Sequence, residues 1–122
     1  MIKLTPKEEE VMEKIWQLGD CAPKDVQALY EEPKPHINTI ATMFQMLEKK
    51  GYLAHEAHGR GYIYRAIVDQ SDYGKSKLGS FVERYFDKSY MKVVSTLVSE
   101  EKVSREELIE FLNQLKKQDR HD

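Results

Sequence analysis

Residues 37–67 read INTIATMFQMLEKKGYLAHEAHGRGYIYRAI, and the spacing of the apolar residues changes halfway along them. In the first half Ile37, Ile40, Phe44 and Leu47 recur at steps of three and four, which is one face of a helix. That helix is expected from about Ile37 to Lys50. Gly51 is its stop, because glycine takes the left-handed conformation that closes helices at little cost. In the second half, Tyr52 to Ala57 and Tyr62 to Ile67 are β-prone runs. His58-Gly59-Arg60-Gly61 lies between them, so the pair reads as an antiparallel hairpin with Arg60 at its tip. Tyr62, Tyr64 and Ala66 share one face of the second strand; Ile63, Arg65 and Ile67 share the other.

Upstream, two more helices are expected. Thr5-Pro6-Lys7-Glu8 has the form of a capping box with proline in the first turn, and Val11, Met12, Ile15 and Trp16 follow at helical spacing up to Gly19. Trp16 and Cys21 are read as core residues. Pro23 opens a second helix with Val26, Leu29 and Tyr30 on its inner face, and Pro33 and Pro35 end it, since proline fits no helix interior. Three helices and a hairpin within about 65 residues is the order of a winged helix-turn-helix. The fold class is therefore mainly α with a small β-hairpin (α+β), with residues 1–70 as a winged-helix unit and 71–122 as a helical dimerisation region.

If Ile37, Ile40, Phe44 and Leu47 face inward, then Asn38, Thr42, Gln45 and Lys49 fall on one outward stripe at 100° per residue. Such side chains read base edges or hold phosphates. Lys24, His36, Thr39 and Tyr62 join them as expected DNA contacts, and Arg60 at the wing tip is expected to reach the flanking phosphate backbone. The whole chain, with 19 basic and 21 acidic residues, has a net charge of −2. That total argues against nucleic acid, but it is unevenly spread. Between Pro33 and Arg65, Lys34, Lys49, Lys50, Arg60 and Arg65 face only Glu48 and Glu56.

After Ser71 the chain returns to helical spacing. Leu78, Phe81, Val82, Tyr85 and Phe86 form a wide apolar stripe at i, i+3, i+4, i+7 and i+8. Met91 to Val98, with Leu97, is a shorter apolar segment. Ser104-Arg105-Glu106-Glu107 is a second capping box, leading into Leu108, Phe111, Leu112 and Leu115. These helices are too short to bury their stripe alone, so a second copy of the chain is expected to cover it. A two-fold dimer would set two recognition helices one DNA turn apart, roughly 34–36 Å.

Other chemistry is poorly supported. His36, His55, His58 and His121 sit in no helical metal motif, and Cys21 is the single cysteine of 122 residues, so no disulfide framework or multi-cysteine zinc site is expected. There is no phosphate-binding glycine loop, no 18-residue apolar run and no secretory signal pattern. The expectation is a cytoplasmic, non-enzymatic protein without cofactor or membrane insertion. Two other classes are a winged-helix protein-interaction module and a small-molecule-sensing regulator with a pocket at the dimer junction.

The chain resembles the bacterial penicillinase-repressor and methicillin-resistance-repressor family of transcription factors. The likeness runs from Leu4 to Leu115. It rests on Leu4-Thr5 through Trp16, on Asn38-Thr39-Ile40-Ala41-Thr42 through Leu47-Glu48-Lys49-Lys50-Gly51-Tyr52-Leu53, and on Tyr62-Ile63-Tyr64. The resemblance implies a homodimeric repressor on a palindromic, double-stranded operator, controlling β-lactam resistance genes. It also implies release by a membrane-bound sensor protease, with the matching bond near Thr96-Leu97. Relatives carry an asparagine–phenylalanine pair there, and arginines where this chain has Ala41 and Met46, which implies an operator of different sequence.

Overall fold

A computed structural model describes residues 1–119. The elements run α1 (Pro6–Leu18), α2 (Pro23–Gln27), α3 (Ile37–Lys49), β1 (Leu53–His58), β2 (Gly61–Ala66), α4 (Gln70–Tyr85), α5 (Tyr90–Ser99) and α6 (Arg105–Asp119). The chain is therefore mainly helical with one two-stranded antiparallel hairpin. It divides into two compact units, the first spanning Met1–Ser76 and the second starting at Lys77.

In the first unit α1 begins as its capping box requires. Thr5 Oγ1 accepts from the Glu8 N–H at 3.2 Å, and the Glu8 carboxylate accepts from the Thr5 N–H at 2.8 Å. Gly19 closes the helix with φ of 82°, donating its N–H to Ile15 at 2.8 Å. Val11, Met12 and Ile15 of α1 pack with Val26 of α2 and with Ile40, Phe44 and Leu47 of α3. Each such fully buried aliphatic or aromatic side chain contributes roughly 1.5–3 kcal/mol.

Two details of the inner faces differ from expectation. Leu29 is 39% exposed, because α2 ends at Gln27 and the chain turns before reaching it. Ile37 is only half-buried, since it lies in the first turn of α3. That helix stops at Lys49, with Lys50 as its cap and Gly51 at φ of 86°.

The hairpin pairs Leu53 with Ala66 through His58 with Gly61, leaving Gly59-Arg60 as a two-residue turn. Gly59 has φ of 61° and Arg60 a negative φ. A positive φ at the first central residue alone is the II′ pattern, which suits the twist of paired strands. The short link before α2 does more than connect. Cys21 and Tyr64 exchange backbone hydrogen bonds of 3.0 and 2.8 Å, so the link adds a one-residue bridge to the wing.

Past the hairpin, the start of α4 belongs to the first unit. Tyr73 is buried, packs on Trp16 and Tyr52 at ring-centroid distances of 5.5 and 5.9 Å, and donates its hydroxyl to Glu9. Trp16 itself is half-buried and donates Nε1–H to the Val68 carbonyl at 3.0 Å.

In the second unit Ser89 caps α5 by accepting from the Lys92 N–H at 3.2 Å. The Ser104–Glu107 capping box opens α6 with bonds of 2.9 and 3.0 Å. Val82 departs from the expected stripe: it is fully buried within the chain, so a partner cannot be needed to cover it. Phe86 and Leu108 are half-buried. Leu78, Phe81, Tyr85, Leu97, Phe111, Leu112 and Leu115 are exposed, as are Tyr90, Met91 and Ile109.

Candidate nucleic-acid interface

Burial of Ile40, Phe44 and Leu47 fixes the rotation of α3 and leaves Asn38, Thr42, Gln45 and Lys49 exposed together along its other face. Thr42 anchors to its own helix, donating Oγ1–H to the Asn38 carbonyl at 2.8 Å, so its oxygen lone pairs stay outward. Met46 shares this face at 43% exposed. The apolar periodicity already excluded it from the core, although sequence reading did not place it among the contacts.

His36 is the N-cap of α3. Its Nδ1 accepts from the Asn38 N–H at 3.1 Å. Sequence reading found His36 as a contact but not as a cap, since histidine is an unusual N-cap. Thr39 is exposed at the edge of this face, one helical heptad before Met46. It lies on the flank of α3 beside a cleft of about 140 Å³, which is also lined by Lys7, Glu10, Tyr30, Pro35, Ile40 and Met43. Lys24 is exposed on α2.

The basic residues between Pro33 and Arg65 divide into two kinds. Lys34 donates to the carbonyls of Ala28 and Tyr30, tying off the end of α2. Arg65 pairs with Glu56 at 3.2 Å. Lys50 turns inward to the buried Glu8 at 2.6 Å. Burial alone would raise the Glu8 carboxyl, but its bonds to Lys50 and Thr5 outweigh that and hold it below the usual carboxylate range. Lys49 and Arg60, by contrast, form no ion pair or side-chain hydrogen bond among the described residues. Of these five cations, the two without a side-chain partner among the described residues therefore sit at the end of the recognition stripe and at the wing tip.

The wing stands on α3 at two points. Tyr64 is buried edge-on against Phe44 with ring centroids 5.0 Å apart. His55 Nδ1 meets the two carboxylate oxygens of Glu48 at 2.8 and 2.6 Å. Tyr62 is 55% exposed and packs against the His55 ring at 4.8 Å.

No group of three or more metal-ligating side chains is assembled among the described residues, and His121 lies outside them. Cys21 is buried, and burial with the nearby Asp25 and Asp20 carboxylates pushes its thiol up to about 11. No helix among the described residues is long and apolar enough to cross a membrane. The bond Thr96–Leu97 lies inside α5, with the Thr96 carbonyl accepting from Glu100 at 2.9 Å and the Leu97 carbonyl from Lys102 at 2.9 Å.

Comparison with known proteins places this geometry in a family. The family model described as Penicillinase repressor matches residues 4–117. The penicillinase repressor of Bacillus licheniformis is 31% identical over 110 residues, covering 89% of this chain and 86% of that protein. The methicillin resistance regulatory protein MecI of Staphylococcus aureus is 23% identical over 116 residues, covering 94% of each. A solved MarR family protein from Bacillus stearothermophilus superposes with a TM-score of 0.48 at 16% identity, covering 98% of this chain and 76% of that one. The chain belongs to the penicillinase repressor family of DNA-binding transcriptional repressors.

Proposed function

We propose that this protein is a homodimeric repressor that binds a two-fold-symmetric operator, with α3 in the major groove and the β1–β2 wing on the flanking backbone. The observation that carries the reading is the face of α3: Asn38, Thr42, Gln45 and Met46 lie outward together, while Lys49 at the end of that face and Arg60 at the wing tip have no ion pair among the described residues. Asn38 and Gln45 suit bidentate pairing with adenine, and Met46 offers an apolar contact to a thymine methyl group. Lys24, His36, Lys49, Arg60 and Tyr62 hold the backbone and set register.

The exposed apolar residues Leu78, Phe81, Tyr85, Phe111, Leu112 and Leu115 support dimerisation through the second unit. The relatives' names point to β-lactam resistance as the regulated process, in the cytoplasm where the operator lies. Proteolytic release near Thr96–Leu97 requires the end of α5 to open first, because the Thr96 carbonyl is held by the Glu100 N–H at the helix cap and the Leu97 carbonyl by the turn that follows. A sensor protease is thus expected to cut an opened α5.

Selection of duplexes by the full-length protein from a random pool tests the reading. Enrichment of an inverted repeat with half-sites one or more helical turns apart is expected. A pool that shows no enrichment at low salt overturns it.

A further inference from the structure

Glu48 sits one turn after Phe44 on α3, so both side chains lie on one side of the helix and meet the hairpin. Phe44 meets Tyr64 of β2, and Glu48 meets His55 of β1. His55 and Tyr64 are cross-strand partners, as are Ala57 and Tyr62, so His55, Tyr62 and Tyr64 share one face of the wing. The His55 ring lies 4.8 Å from Tyr62 and 5.3 Å from Tyr64. A continuous line of contacts thus runs from the recognition helix through Glu48 and His55 to Tyr62, two residues beyond the turn that carries Arg60. A second pair, Arg65–Glu56, lies on the opposite face of the hairpin.

Phe44–Tyr64 and the Cys21–Tyr64 backbone bridge both hold β2, and Glu48–His55 adds a polar contact from α3 to β1 at the same register, so the hairpin is held across both strands. We infer that Glu48 and His55 are positioning residues. They set the angle of the wing on the recognition helix, so that base contacts of α3 and the phosphate contact at Arg60 act as one coupled surface. This inference rests on the reading of α3 and the wing as a DNA interface. Neither side chain needs to touch DNA. Both are about one-third exposed, 32% for Glu48 and 38% for His55, so exchanging them leaves the core intact.

The test uses the full-length protein and a duplex that it has enriched from a random pool. Glu48→His, His55→Glu and the double exchange are each compared with and without Arg60→Ala, with thermal melting as the check on folding. Glu48→His replaces a negative charge by a neutral or positive one, which on charge alone tightens duplex binding. Lost positioning instead weakens binding to the enriched duplex by about tenfold, while binding to an unrelated duplex does not fall. The double exchange rebuilds the pair in reverse and recovers affinity to within about threefold. The factor lost to Arg60→Ala is smaller in the Glu48→His background than in the wild type.

Wild-type affinity in Glu48→His, or the same factor lost to Arg60→Ala in every background, overturns the clamp while leaving the interface standing. A wild-type protein that enriches no duplex overturns the interface reading, and the clamp with it.

Discussion

Glu8 carries three obligations at once: it closes the capping box of α1, accepts from Lys50, and lies buried at 6% exposure. The capping half was legible from Thr5-Pro6-Lys7-Glu8. The ion pair was not, because Lys50 is 42 residues away in sequence and spacing carries no signal at that range. Held below its unfolded value of about 4.3, Glu8 contributes stability fully above that value and loses it as the pH falls through its folded pKa. Glu8→Gln should therefore cost about 2 kcal/mol at pH 7 in urea unfolding, with the gap closing below about pH 4. A gap that stays constant with pH contradicts this account. Cys21 shows the same limit. Its burial was expected, while its backbone bridge to Tyr64 was not. With its thiol at about 11, it should resist alkylation in native protein at pH 7.5 and react once urea exposes it; equal rates in both states would show an accessible thiol.

At the scale of elements, the change of period at Gly51 made α3 and the hairpin readable. Turn residues located the wing tip, because a positive φ at Gly59 is a local requirement. Gly59→Ala should destabilise the protein by about 1 kcal/mol, read as a lower Tm, while Gly61, whose φ is not positive, should tolerate alanine better. Equal effects at both positions would contradict the turn assignment. The end of α2 was less legible. Val26, Leu29 and Tyr30 satisfy a helical period, yet α2 stops at Gln27. Three cations counted toward a basic surface, Lys34, Lys50 and Arg65, are occupied by protein partners. Sequence reveals charge but not which side chains are already engaged, so of the five cations between Pro33 and Arg65 only Lys49 and Arg60 have no side-chain partner among the described residues. Arg60→Ala should weaken binding to all duplexes alike and lower the salt slope by about 1. A loss confined to one operator sequence would instead mark Arg60 as a base reader.

For the whole molecule, the apolar stripe after Ser71 signalled a second unit, and a boundary at residue 70 followed from where helical spacing resumed. The compact first unit reaches Ser76 instead, because Tyr73 belongs to the Trp16–Tyr52 cluster. A 1–76 fragment should fold as a monomer, and a 1–70 fragment should be less stable by about 2–4 kcal/mol for want of the Tyr73 contacts. Sedimentation and urea unfolding check both; a dimeric 1–76 fragment would place the dimer contacts in the first unit. The stripe also contained an error that only packing could reveal, since periodicity put Val82 beside Leu78 and Phe81 without showing that the chain buries it itself.

As a dimer, two chains together are expected to present two basic faces to one duplex. Titration of the enriched duplex with full-length protein from about 50 to about 200 mM salt tests it most directly. Two chains per duplex are expected, with an affinity that falls steeply and linearly on logarithmic axes. Failure to bind at the lowest salt, or saturation at one chain per duplex, would contradict it.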